Sequence, residues 1–198
     1  YSNCNGHAGA VGVVLPAAQG SLVANVSVAA TGAFAGFYGL PGRNWGAVNV
    51  EVDGGRYGIR TGGPAGGSVA GSSIFGARLV NQTFAAIEYE DFVPLVMAGF
   101  QIEKAVAPAF EVKNNYSTYT AWNTMSLLDG SIEITGGLTA SAAIGNPGGK
   151  NLYLRNVYVG GATSLVKSAT RAPLAGSGPW NRIDEYSYTD QRTTSVGQ

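Results

Sequence analysis

The chain has 198 residues, 30 of them Gly, with 12 Lys and Arg balanced by 12 Asp and Glu and 45% hydrophobic residues. That apolar content fills a one-domain core and argues against Gly-rich disorder, while a net charge of zero without a basic run argues against nucleic acid or an anionic membrane as partner. No stretch approaches the roughly 20 apolar residues of a membrane helix. Cys4, the single cysteine, allows neither an intrachain disulfide nor a zinc spacing, and His7, the single histidine, sits beside glycines where a Ser-His-Asp triad is not expected.

Helical spacing of apolar residues is nearly absent, because Gly and Pro interrupt it. In chain order the alternating segments are Val26-Ser-Val28, Val48-Asn-Val50-Glu-Val52, Ala77-Arg-Leu79, Ile102-Glu103, Ile132-Glu-Ile134 and Val157-Tyr-Val159. Taking Val26, Val50, Leu79, Ile102, Ile132 and Val157 as equivalent gives intervals of 24, 29, 23, 30 and 25. A second apolar element follows at a steadier offset: Ile59 after Val52, Ile87 after Val80, Phe110 after Ile102 and Val166 after Val159. A third occurs in several units, at Ile74, Leu95 to Met97 and Trp122 to Met125. A recurring unit of two or three short strands joined by Gly-rich corners predicts an all-β fold, a parallel β-helix of about six coils in which each strand pairs with its equivalent one turn away. A Gly-rich antiparallel sandwich is the competing fold, although tight-hairpin signals are few. The expected division is an N-terminal extension or cap over 1–21, coils over 22–170 and a polar tail or linker over 171–198, the whole being open to membership of a longer β-helix. Open solenoid ends expose strand edges, so another chain or domain completing or capping the helix is an expected partner. The tail from Trp180 to Asp190 either folds across one end or leads into such a domain.

The pattern Gly46-Ala-Val-Asn-Val-Glu-Val-Asp-Gly54 followed by Tyr57-Gly-Ile59, with Ala77 to Asn81 before Ala86-Ile87 and Leu152 to Val159, resembles the pectin-lyase-like superfamily. The resemblance covers roughly residues 20–170. It implies a right-handed β-helix and, in the branch most similar to it, extracellular polysaccharide degradation by glycoside hydrolases. The Asn-Thr-Asp, Asp-Asp and His-Gly signatures of polygalacturonase-like hydrolases do not occur in this chain. Three glycosylation acceptor triplets, at Asn25, Asn81 and Asn115, fit a secreted protein.

Alternation places Ser27, Glu51, Arg78, Glu103, Glu133 and Tyr158 on the outer face of the first sheet. Glu103 and Glu133, one coil apart, are the expected catalytic pair, with Glu51 as alternative partner, because glycoside hydrolysis uses two carboxyl groups about 5 Å or about 6.5 to 9.5 Å apart. The same positions are equally read as solvated strand exteriors. Tyr116, Tyr119 and Trp122, in a loop rich in amides and hydroxyls, together with Tyr158 and Arg78, are expected to bind sugar, since aromatic faces and hydrogen-bonding groups suit pyranose rings. On a second face Arg60, Glu88, Glu111 and Lys167 read as a charge ladder between coils. Calcium at Glu88, Glu90 and Asp91 is the one cofactor weighed, and no metal ligands are assigned, because carboxylates alternating between faces do not converge. The expected function is a secreted carbohydrate-active protein, a glycoside hydrolase or a segment of one, acting on a neutral polysaccharide or oligosaccharide. The alternatives are a polysaccharide lyase and a non-catalytic sugar-binding or adhesin module.

Overall fold

The computed structural model describes residues 1–15, 20–41, 46–61, 72–89, 94–106, 108–112, 124–135, 142–149 and 151–189. Among these every regular element is a strand. The first three rungs are β1 (Ser2–Asn3) with β2 (Val11–Val14), β3 (Val23–Ala30) with β4 (Ala35–Tyr38), and β5 (Gly46–Gly54) with β6 (Tyr57–Arg60). In the next two the first strand is split: β7 (Ser72–Phe75) and β8 (Arg78–Val80) lead to β9 (Ala85–Tyr89), and β10 (Leu95–Ala98) and β11 (Gln101–Ala105) lead to β12 (Phe110–Val112). The last are β13 (Thr124–Ile134) with β14 (Ile144–Asn146) and β15 (Asn151–Gly160) with β16 (Ser164–Ser168), followed by β17 (Leu174–Ala175) and β18 (Trp180–Tyr188).

From β1 to β16 every pairing is parallel and links one rung to the next, so the chain is a parallel β-solenoid with two stacked sheets. Sheet A holds ten strands and sheet B eight. The coil count differs slightly from the six read in the sequence, and β1 and β2 form a partial rung ahead of Val23. The two ends are built differently. β18 lies antiparallel across β15, and β17 antiparallel across β16, so the Trp180 to Tyr188 segment folds over the C-terminal end of the stack. It seats Ile183, Tyr186 and Tyr188 opposite Val157, Leu154 and Leu152. Among the described residues no helix is long and apolar enough to cross a membrane.

The core is a set of columns along the axis, one residue per rung, because strands about 4.8 Å apart stack equivalent side chains directly on one another. One column runs Val28, Val52, Leu79, Ile102, Ile132, Val159. The register corrects the equivalences expected from sequence: Leu79, Ile102 and Ile132 align with Val52, and Val50 aligns with Ala77. Both columns face inward, so a slip of two residues preserves the alternation, and the hydrophobic pattern cannot detect it.

Gln82, buried at a corner between the sheets, points its amide nitrogen at three carbonyls: Val80 at 2.8 Å, Gly54 at 3.0 Å and Val52 at 3.2 Å. Buried carbonyls that lose their donor incur a desolvation cost. Gln82→Leu is therefore expected to lower unfolding stability by about 2 kcal/mol, measured by urea denaturation.

Candidate functional site

Sheet A is bent along a line of left-handed residues. Asn25, Asn49, Gly76, Gly99, Asp129 and Asn156 occupy equivalent places in successive rungs and have φ of 55°, 50°, 66°, 63°, 51° and 53°. L-residues avoid this region, and Gly, Asn and Asp tolerate it best, which explains the composition of the column. Each such residue breaks the two-residue alternation: Val48 and Asn49 are both exposed, and Val50 then turns inward. The strand continues in a new direction, giving sheet A two arms.

Side-chain amides bond along the bend. Asn49 Nδ2 donates to Asn25 Oδ1, and Asn156 Nδ2 to Asp129 Oδ1, each at 2.8 Å. Nearer the end of the second arm, Asn81 Nδ2 donates across rungs to Asp53 Oδ1, also at 2.8 Å. Two of the three glycosylation acceptors, Asn25 and Asn81, thus hold rungs together.

A groove follows the bend on the outside. One section, of about 610 Å3, has Asn49, Gly76, Gly99, Asp129 and Asn156 along its floor and Arg78, Gln101, Ser131 and Tyr158 along the second arm. A second section, of about 490 Å3, shares Asp129 and Asn156 and extends to Tyr153, Arg155, Arg182 and Asp184. Gly76 and Gly99 present no side chain, which deepens the floor between Asn49 and Asp129. Tyr158 is 42% exposed, and the Arg182 guanidinium stacks on its ring at 5.7 Å, fixing the ring's orientation. On the other arm, Val48, Phe75, Ala98 and Leu128 form an apolar stripe in register beside the groove. The combination of amides, a hydroxyl, a held aromatic ring and adjoining apolar surface can meet both the polar rim and the C–H faces of a sugar.

The outward positions expected from sequence divide between two columns. Ser27, Glu51, Arg78, Gln101, Ser131 and Tyr158 form one. Glu103 lies in the next, in register with Val80 and Asp53, and Glu133 pairs with Gly160 in that same column. The cause is again the two-residue slip at Leu79. Arg78 reaches across both columns: Nε and Nη2 donate to the two Glu103 carboxylate oxygens at 3.1 Å each, and Nη1 donates to Glu51 Oε1. Hydrogen bonds accepted by Glu103, then by Glu51, hold the Arg78 guanidinium above its ordinary pKa. Glu103 and Glu133 sit on neighbouring rungs. Pairing is regular at Ile102 with Ile132 and resumes at Ala105 with Ile134, so a bulge sets Glu103 and left-handed Lys104 against Glu133.

Glu51, Arg78, Glu103, Glu133 and Tyr158 thus share the outer surface of the second arm, while Tyr116, Tyr119 and Trp122 lie outside the described residues, as do Glu90 and Asp91 of the acidic cluster. Among the described residues no three His, Cys, Asp or Glu gather to hold a metal ion. On sheet B, Arg60, Glu88 and Glu111 are in register on successive rungs, with Lys167 two rungs beyond, and Arg60 Nε donates to Glu88 Oε1 at 2.6 Å. The groove residues that sequence reading missed are Asn49, Gln101, Asp129, Ser131 and Asn156. A signal for the floor was present: Asn, Asp or Gly recurs at 25, 49, 76, 99, 129 and 156, each time just before an inward position.

No family model matches this chain, and no curated protein or solved structure matches it either.

Proposed function

We propose that this chain is a carbohydrate-binding β-solenoid of an extracellular polysaccharide-degrading system, with the bend of sheet A as its saccharide site. The observation that carries the reading is the continuous groove in which Gln101, Ser131 and Asn49 offer amide and hydroxyl groups beside the oriented ring of Tyr158. Membership of the pectin-lyase-like superfamily belongs to the same proposal, and the parallel stack with its Asn-rich corner column supports it. A neutral glycan is the favoured ligand, because Arg78 and Arg182 are each already paired with carboxylates. Titration calorimetry against a panel of neutral oligosaccharides tests this. Tyr158→Ala is expected to weaken the best ligand about tenfold and Gln101→Ala about fivefold, with thermal stability kept. Binding that neither substitution alters would sink the assignment of the groove.

Hydrolysis is a second reading, favoured by the bulge that sets Glu103 and Glu133 on neighbouring rungs, since glycoside hydrolysis needs two carboxyl groups near each other. Against Glu103 with Glu51 as the pair stands Arg78, which already donates to both carboxylates. Replacing Glu103 and Glu133 by Gln is expected to abolish reducing-end release from any polysaccharide the native chain cleaves, and an ultraviolet-absorbing unsaturated product would instead identify a lyase.

A further inference from the structure

Trp180, the first residue of β18, is 53% exposed although its ring packs against the body of the solenoid. Its seat is Gly160, the residue opposite it on β15. A Cβ on Gly160 would lie 2.6, 2.7 and 2.7 Å from Cε2, Cδ2 and Cζ2 of the indole. Only a point above the ring plane is so nearly equidistant from those three atoms, so the indole lies face down on the Gly160 backbone and turns its other face outward. Gly160 does not have a left-handed φ, whereas Gly161 beside it has a φ of 73°. The ring, and not the backbone angle, therefore requires glycine at 160. The approach to β18 is held as well. Asn181 Oδ1 accepts from the amides of Ser177 and Gly178 at 2.8 and 3.2 Å, its Nδ2 donates to the Gly178 carbonyl at 2.9 Å, and the Gly161 amide donates to the Pro179 carbonyl at 3.1 Å. Because the ring is already fixed, a ligand that stacks on it orders little more of the protein.

This platform continues the groove. Tyr158, on the groove's second arm, precedes Gly160 by two residues and shares its outer face, about 6.6 Å away along the strand. On the adjoining rung Glu133 pairs with Gly160, and among the described residues its carboxylate has no hydrogen bond or ion pair. A pyranose presents an apolar C–H face that suits an indole and hydroxyl donors at its rim that suit a carboxylate. We infer that Trp180 and Glu133 form a further sugar subsite, in which a neutral pyranose unit stacks on the outer face of the indole and donates hydroxyl hydrogen bonds to Glu133, next to the unit held at Tyr158. The inference rests on the bend of sheet A being a saccharide site, and it adds a length requirement. A short oligosaccharide occupies the groove alone, and a longer one extends past Tyr158 onto Trp180.

Titration calorimetry of the full chain with neutral gluco-, manno- and xylo-oligosaccharides of two, four and six units tests this. In the series that binds, affinity is expected to rise about tenfold from the shortest member to the longest. Trp180→Ala is expected to remove that rise and leave the disaccharide unchanged, whereas Tyr158→Ala weakens every length. Gly160→Ala, which lifts the ring from its seat, should remove the rise as well, and Trp180→Phe should keep part of it. Melting curves verify that each variant is folded. Affinity that does not grow with length, or growth that survives Trp180→Ala, overturns the subsite while the groove stands. Absence of binding by every member of the three series overturns the saccharide reading and the subsite with it.

Discussion

Gly130→Val is expected to destabilise the solenoid by about 3 kcal/mol, and to recover much of that loss when Phe100 is reduced to Val in the same chain. The reason lies in one core column, which runs Val26, Val50, Ala77, Phe100, Gly130, Val157. Phe100 is the one aromatic side chain in this series and is 1% exposed. Its ring occupies the space on the next rung, so that a Cβ on Gly130 would lie 2.3 to 2.5 Å from three ring carbons. Neither rung can move away, because both are hydrogen-bonded on two sides at the strand spacing. Phe100→Val alone leaves a cavity and costs about 3 kcal/mol. In the double variant a second valine fills that cavity, and the column becomes nearly uniform. A double-mutant cycle in urea is expected to give a coupling of about 2 kcal/mol in favour of the pair. Additive losses would mean that the ring and the glycine are not packed against each other.

The same column explains how far the sequence carried the fold. Alternation of Val, Ile and Leu with polar residues, repeated at intervals between 23 and 30, was enough to specify parallel stacking and the inward face of each strand. It was insufficient for register, because Phe100 and Gly130 differ so much in size that neither resembles its column mates, and Leu79, Ile102 and Ile132 offered a plausible but shifted match. The site inherited that ambiguity. Glu51, Arg78 and Tyr158 share one outward column, as the pattern implied. Glu103 and Glu133 are in the next, and only the reach of Arg78 reconnects Glu103 to Glu51. The groove floor depends on backbone conformation. An Asn in a strand is ordinarily an outward polar residue, and the recurrence of Asn, Gly or Asp at the bends becomes meaningful only once one residue per rung is known to be left-handed.

Arg60→Met is expected to cost about 3 kcal/mol or more, through an arrangement on sheet B that composition alone would class as a surface charge ladder. Arg60 is 21% exposed, but the Glu88 side chain that accepts from its Nε is fully buried. The guanidinium also lies 5.6, 5.4 and 5.5 Å from the ring centres of Phe34, Tyr38 and Tyr57, and those rings meet edge to face. Arg56 extends the cluster, placed over Tyr57 and Phe84. One cation therefore ties three successive rungs together: the Phe34 to Tyr38 turn and strand, its own strand, and β9 with Glu88. Removing it leaves the buried carboxylate without this cation, and such a loss exceeds what the pair contributes over an apolar replacement. Arg60→Met with Glu88→Leu is accordingly expected to be much closer to the native stability than Arg60→Met alone. Arg60→Lys retains the charge but loses the planar fork and the ring contacts, so an intermediate loss of about 1 to 2 kcal/mol is expected. Urea unfolding of the three variants checks the order. If Arg60→Met and the double variant were equally destabilised, the rings rather than the buried carboxylate would dominate, and Lys would then be as damaging as Met.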